Sequence, residues 1–261
     1  MTVAQRVNAE RLSLLGWSRA ILLQLAHPLI AAGVHDHSGF RATPIAAIAR
    51  LHHTVGAMLA LTFGETSERQ RVIDQILAIH RRVNGCLPVD AGPFTAGTRY
   101  SAEDPDLVLW VHITLLDSVP MMYEMLVESL TDHERDRYCA EAAAVAIALG
   151  AREDAVPMTW EATRASIDGM HNSGTLVVTP QAREVAHALM APRGAALVAP
   201  VAWANHLFTI GSLPASIREQ YGWHWRPSDD RALRAMIAGL RASRRLTPRM
   251  LALWRQARTL R

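Results

Sequence analysis

Apolar positions along the chain recur at helical spacing almost throughout, and most of the predicted elements follow from that period. Residues 71–85, RVIDQILAIHRRVNG, set Val72, Ile73, Ile76, Leu77, Ile79, His80 and Val83 on one face and Arg71, Asp74, Gln75, Arg81 and Arg82 on the other. This predicts a helix with Thr66 or Ser67 as N-cap, Glu68 in the first turn and Gly85 as the C-terminal glycine. His80 falls on the apolar stripe and is expected to point inward. By itself that describes either a core histidine satisfied by one hydrogen bond or a metal or haem ligand.

The same reading predicts a long apolar helix over residues 8–34, bent or restarted at Pro28, followed by a loop carrying His35-Asp36-His37. That triplet fits a solvated loop or a weak divalent-metal site. Thr43-Pro44 opens a helix over residues 45–61. On it Arg50 and Thr54 share one edge, with His53 beside them. These three residues form either a pocket wall or a surface arginine beside a helix-bonded threonine. A loop over residues 86–102 leads to Asp104-Pro105, a cap and first-turn pair opening a helix that is apolar nearly all round and carries His112, Thr114 and Asp117. Polar side chains buried there need partners, either each other or a bound group. Pro120 is expected to kink it.

Further on, Thr131-x-x-Glu134 is a capping box for a helix through Ala148 stopped by Gly150. Helices are also expected over 159–170, 180–190, 195–217, 228–243 and 247–261. The only β-branched run, residues 175–179, is short. The pattern predicts an all-α protein, a single helical domain of about nine or ten helices over residues 1–261, without internal repeats.

Composition narrows the chemistry. The 261 residues suffice for a full core, and the two cysteines, Cys86 and Cys139, fit a reducing compartment without a disulfide framework. All 27 basic residues are arginine, which removes Schiff-base, P-loop and general-base lysines at once. No C-x-x-C-H occurs, so any haem is held non-covalently. Met1–Glu10 is polar, and Arg19, Gln24 and His27 interrupt the apolar stretch behind it. No transmembrane segment is expected and a cytoplasmic protein is predicted. Only one Glu-x-x-His, at Glu184 and His187, is present where a ferritin-like di-iron site needs two. Arginines gather near the C-terminus, but the net charge of +3 and the lack of a reading-head motif favour a solvated helix face over nucleic-acid binding.

Six segments in order, LLQLAHPLIAAGVHDHSGF (22–40), RLHHT (50–54), FG (63–64), IHRRVNG (79–85), Y-x-A-x-D-P (100–105) and LWVHITLLDS (109–118), resemble the MpaB and latex-clearing (rubber oxygenase) family. The resemblance covers about residues 11–170. It implies a globin-like helical core holding non-covalent haem b through one proximal histidine, and oxidative cleavage of carbon–carbon double bonds in isoprenoid chains. By motif position the iron ligand falls on His80, with His112 as a further cofactor-binding residue. Arg50 and Thr54 match the family's distal arginine and threonine, and His53 stands where latex-clearing enzymes carry a lysine. The chain is shorter than those enzymes, so a haem oxygenase or peroxidase-like oxidoreductase acting with dioxygen or peroxide on a small apolar, unsaturated or isoprenoid molecule is expected rather than one cleaving polyisoprene. The contrasting expectation is a haem carrier or sensor without turnover.

Overall fold

The structure is a computed structural model describing residues 1–37, 44–190 and 199–258; side chains are described for all of these except residues 44–51 and 199–201. Among the described residues the elements run α1 (Val3–Ala9), α2 (Leu15–Leu25), α3 (Pro28–His37), α4 (Pro44–Phe63) and α5 (Thr66–His80), then β1 (Asn84–Cys86) and β2 (Arg99–Ser101). They continue with α6 (Pro105–Leu126), α7 (Asp132–Ala148), α8 (Trp160–Asn172), α9 (Pro180–Met190), α10 (Ala199–Ser212), α11 (Ala215–Gln220), α12 (Pro227–Leu246) and α13 (Arg249–Ala252). The protein is all-α apart from one small antiparallel ribbon pairing β1 with β2.

Helix α6 is the central rod. Asp104 caps it by accepting from Asp106 N, Pro105 occupies the first turn, and Pro120 lies inside it without ending it. Its buried side chains run all the way round. Trp110 and Ile113 join Leu22, Leu23, Ile167, Val185 and Ile210 in the main core, while Leu116, Val119 and Tyr123 pack on Tyr138 and Cys139 of α7. The closest partner of α6 is α2. A Cβ at Gly16 would stand 2.5 Å from Ser118 O, so only glycine permits this backbone approach. No single helix among the described residues is long and apolar enough to cross a membrane; the bent pair α2 and α3 buries Leu22, Leu23 and Leu25 in the core.

Several boundaries depart from the sequence expectation, each because a tertiary contact outweighs local propensity. Among the described residues thirteen helices stand where nine or ten were expected, because two predicted helices are divided, the first into three and the second into two. The expected N-terminal helix is interrupted at Glu10, which turns extended to pair with Leu253 and bind Arg244, and again at Pro28, where the axis turns by 107°. Pro214 divides the expected 195–217 helix into α10 and α11, and the C-terminal stretch keeps only α13 and a short 3-10 turn. His35, Asp36 and His37 are not in a loop but form the last turn of α3. Residues 84–86, at the expected end of the 71–85 helix, pair as a strand with 99–101 of the expected loop, both too short to show a period-two pattern, whereas 175–179 forms no strand. Thr43 lies outside the described residues.

Candidate functional site

Helices α4 and α5 are joined by Gly64-Glu65 and pack on each other. Helix α5 begins at Thr66 with Glu65 as N-cap, so neither Thr66 nor Ser67 caps it, and it ends at His80 rather than at Gly85. None of its residues is fully buried: Val72, Ile73, Ile76, Leu77 and His80 are half-buried, and Ile79, expected on the inner stripe, is 61% exposed. The stripe is real, but its main protein neighbour is α4. An apolar helix face left half-covered has the character of a cleft wall.

The outer end of α5 is fixed with care. Ala102 N donates to Val83 O at 2.9 Å, and β1 and β2 pair Gly85 with Tyr100. The Tyr100 hydroxyl donates to Asp36 Oδ2 at 2.7 Å, and His37 Nε2 donates to Asn84 O at 3.0 Å. Gly85 is needed here not as a helix cap but because a Cβ would lie 2.5 Å from the Tyr100 hydroxyl. Burial opposes ionisation of Asp36, yet hydrogen bonds with His35 and Tyr100 outweigh it and hold the carboxyl below its usual range. The His35-Asp36-His37 turn therefore anchors the segment that follows His80.

His80 itself is half-buried, with Nδ1 buried and without a hydrogen-bond partner. Burial lowers its pKa, against an upward pull from Glu103, so the ring is neutral near pH 7. A neutral imidazole with a ring nitrogen that no protein group engages, set on an apolar half-covered face, fits a site asking the protein for one metal bond. Among the described residues no group of three or more His, Cys, Asp or Glu side chains is placed to hold a metal ion.

On α4, His53 and Thr54 are exposed, with the His52 and His53 rings edge-on at 6.3 Å. The Arg50 backbone belongs to α4, and its side chain lies outside the described residues. Arg50 stands 13 residues before the end of α4 and His80 14 residues after the start of α5, about 20 Å from the connecting turn along each helix at 1.5 Å per residue.

His112 has different surroundings. It shares its face of α6 with Val108 and Leu116, which pack toward α7, and it is 8% exposed with Nε2 buried and unpartnered. Burial pushes its pKa down to about 4. The other polar groups of α6 find partners. Thr114 accepts from Gln24 Nε2 at 2.9 Å, and Asp117 accepts from Arg19 Nη1 at 2.5 Å and Arg164 Nη1 at 2.9 Å. The Arg19–Asp117–Arg164 network escaped the sequence reading, although an arginine inside one apolar stripe and an aspartate inside another were the signal for it. His27 was also missed. It lies between α2 and α3 against Phe94, with Nδ1 buried and unpartnered, and burial pushes its pKa down to about 4 against the pull of Asp104.

Fold and site thus define an all-α protein with a histidine on the last turn of α5 whose buried Nδ1 has no hydrogen-bond partner. The profile of the family described as "ER-bound oxygenase mpaB/B'/Rubber oxygenase, catalytic domain" matches residues 4–242. The chain belongs to this family, which implies an oxygenase catalytic domain. No match was found among curated proteins, and none among solved structures.

Proposed function

We propose that the protein is a haem b-dependent oxygenase acting on a small apolar, unsaturated or isoprenoid substrate, with His80 as the single protein ligand to iron. The observation that carries this reading is the His80 ring: neutral, with Nδ1 buried and unpartnered, on an apolar stripe that the rest of the chain covers only in part. Bound haem supplies reductive activation of dioxygen or peroxide. The chain supplies the rest. The half-covered apolar residues of α5 hold an apolar macrocycle and substrate away from water. Arg50 and Thr54, one turn apart in the sequence of α4, are assigned to stabilising negative charge that develops on an oxygen substrate. His53, exposed beside them, serves as a proton donor near neutral pH. His112, buried on the face of α6 that packs toward α7, is assigned a supporting role in cofactor binding rather than ligation.

The test is the absorption spectrum of the purified protein, oxidised and reduced, for wild type and His80→Ala. Wild type is expected to show haem b, and His80→Ala to lose it while keeping its circular dichroism. A wild-type protein that neither carries nor takes up haem refutes the reading, and loss of iron in His112→Ala but not His80→Ala moves the ligand to α6. A ferrous protein that binds two histidines and refuses carbon monoxide is instead a carrier or sensor.

A further inference from the structure

The corner between α12 and α13 is built unlike the rest of the surface. Leu246, the last residue of α12, is 86% exposed, and Met250 and Leu251 in the single turn of α13 are each 63% exposed. These side chains are not the core face of α12, because Leu233, Met236, Ile237 and Leu240 already pack on Met122, Leu126 and Phe208. Nor is the corner a frayed end. Arg244 Nε donates to Glu10 Oε2 at 2.9 Å, Trp254 N donates to Ala9 O at 3.0 Å, and the Arg11 guanidinium lies 5.0 Å from the centre of the Trp254 ring. Ala252, Leu253 and Ala257 are buried against Ala9. Three large apolar side chains are thus held out on a base fixed to α1.

The sequence around them carries one sign of charge, with Arg244 paired to Glu10. Between Arg231 and Arg258 the sequence has eight arginines and no Asp or Glu, in a chain whose whole net charge is only +3. Arg245 and Arg249, both exposed, flank the apolar tip directly. We infer that this corner docks the protein on an anionic lipid surface, with Leu246, Met250 and Leu251 entering the headgroup–acyl boundary and Arg245 and Arg249 lying against the anionic headgroups. The complementarity favours lipid: an exposed apolar tip gains by leaving water for acyl chains, and the flanking Arg245 and Arg249 gain from phosphatidylserine or similar lipids. A nucleic acid would use the arginines and leave the apolar tip in water. This inference stands independently of any cofactor at His80.

The experiment is flotation of the full chain with vesicles of phosphatidylcholine alone and of phosphatidylcholine mixed equally with phosphatidylserine, at low and high salt. Wild type is expected to float with the mixed vesicles, less so at high salt, and to stay behind with phosphatidylcholine alone. L246S/M250S/L251S should lose binding by about tenfold or more with unchanged circular dichroism, and L246S alone should show the same direction. R245Q/R249Q should lose about fivefold for each arginine removed and weaken the salt dependence. The inference is overturned if wild type does not float with mixed vesicles, if the serine variants float as well as wild type, or if duplex DNA strips the protein from the vesicles at low salt.

Discussion

Replacing Asp117 by Asn keeps the size of a side chain and removes its charge, at the point where the core depends on that charge most. The Asp117 side chain is 0% exposed and that of Arg19 is 4% exposed. Arg19 Nη1 meets both Asp117 Oδ2 at 2.5 Å and Ser118 Oγ at 2.6 Å, while its Nε donates to Ser212 O at 2.9 Å. Arg164 meets the other carboxylate oxygen at 2.9 Å. One carboxylate therefore ties α2 and α8 to α6, and Arg19 carries the link on to Ser212 of α10. In Asp117→Asn the guanidinium of Arg19 stays buried without its counter-ion, and breaking a buried pair in this way costs about 3–5 kcal/mol. With a urea dependence of about 3 kcal/mol per molar, the unfolding midpoint should fall by roughly 1–1.7 M. Arg164→Gln is the internal control: its side chain is 43% exposed, so its loss should cost about 1 kcal/mol or less. The assay is urea denaturation followed by circular dichroism for wild type and both variants. An Asp117→Asn loss below about 1 kcal/mol, or a larger loss for Arg164→Gln, refutes the view that Asp117 neutralises a buried charge.

The remaining predictions concern the site and its support. Gly85→Ala should destabilise the protein by about 1–3 kcal/mol and loosen cofactor retention, because its Cβ would stand 2.5 Å from the Tyr100 hydroxyl. Adding Tyr100→Phe should then cost less than it does in wild type, and strict additivity in a double-mutant cycle would refute the contact. His27 and His112 have folded pKa values near 4, below the ordinary 6.5, so the unfolded chain takes up protons first as pH falls. Stability should therefore be full above pH 6.5 and decline toward pH 4, by about 1 kcal/mol per histidine over the first pH unit, with His27→Gln and His112→Gln each flattening the profile. Arg50→Ala and Thr54→Ala should each retain haem yet lose about 10²–10³ in turnover, measured as substrate-dependent oxygen consumption; full activity in both would place the charge-stabilising groups elsewhere.

Much of the helical framework is legible in the sequence because its signals are local. The Thr131-x-x-Glu134 capping box forms as expected, with each side chain bonded to the other's backbone, and Gly150 at φ 107° ends the helix. Asp104-Pro105 opens α6, whose all-round apolar pattern makes it the central rod. These features depend on residues within one or two turns of each other. The same locality explains why Arg50, His53, Thr54 and His80 stand out as candidates from residue type and spacing.

What the sequence alone could not give is set by groups far apart in the chain. Glu10 leaves helical geometry because Arg244 and Leu253 hold it, more than 230 residues away. Gly85 reads as a helix cap and is in fact a clearance for Tyr100, and the His35-Asp36-His37 triplet reads as a loop and is in fact the anchor behind His80. Arg19 and Asp117 each look like a flaw in an apolar stripe until the crossing of α2 and α6 makes them a pair. Residue type and period determined which segments are helices and which side chains can do chemistry. Which of those side chains are neutralised by a partner, and which, like His80, keep a buried nitrogen unengaged, was decided only by the tertiary structure, because burial and pairing depend on neighbours that the linear pattern does not name.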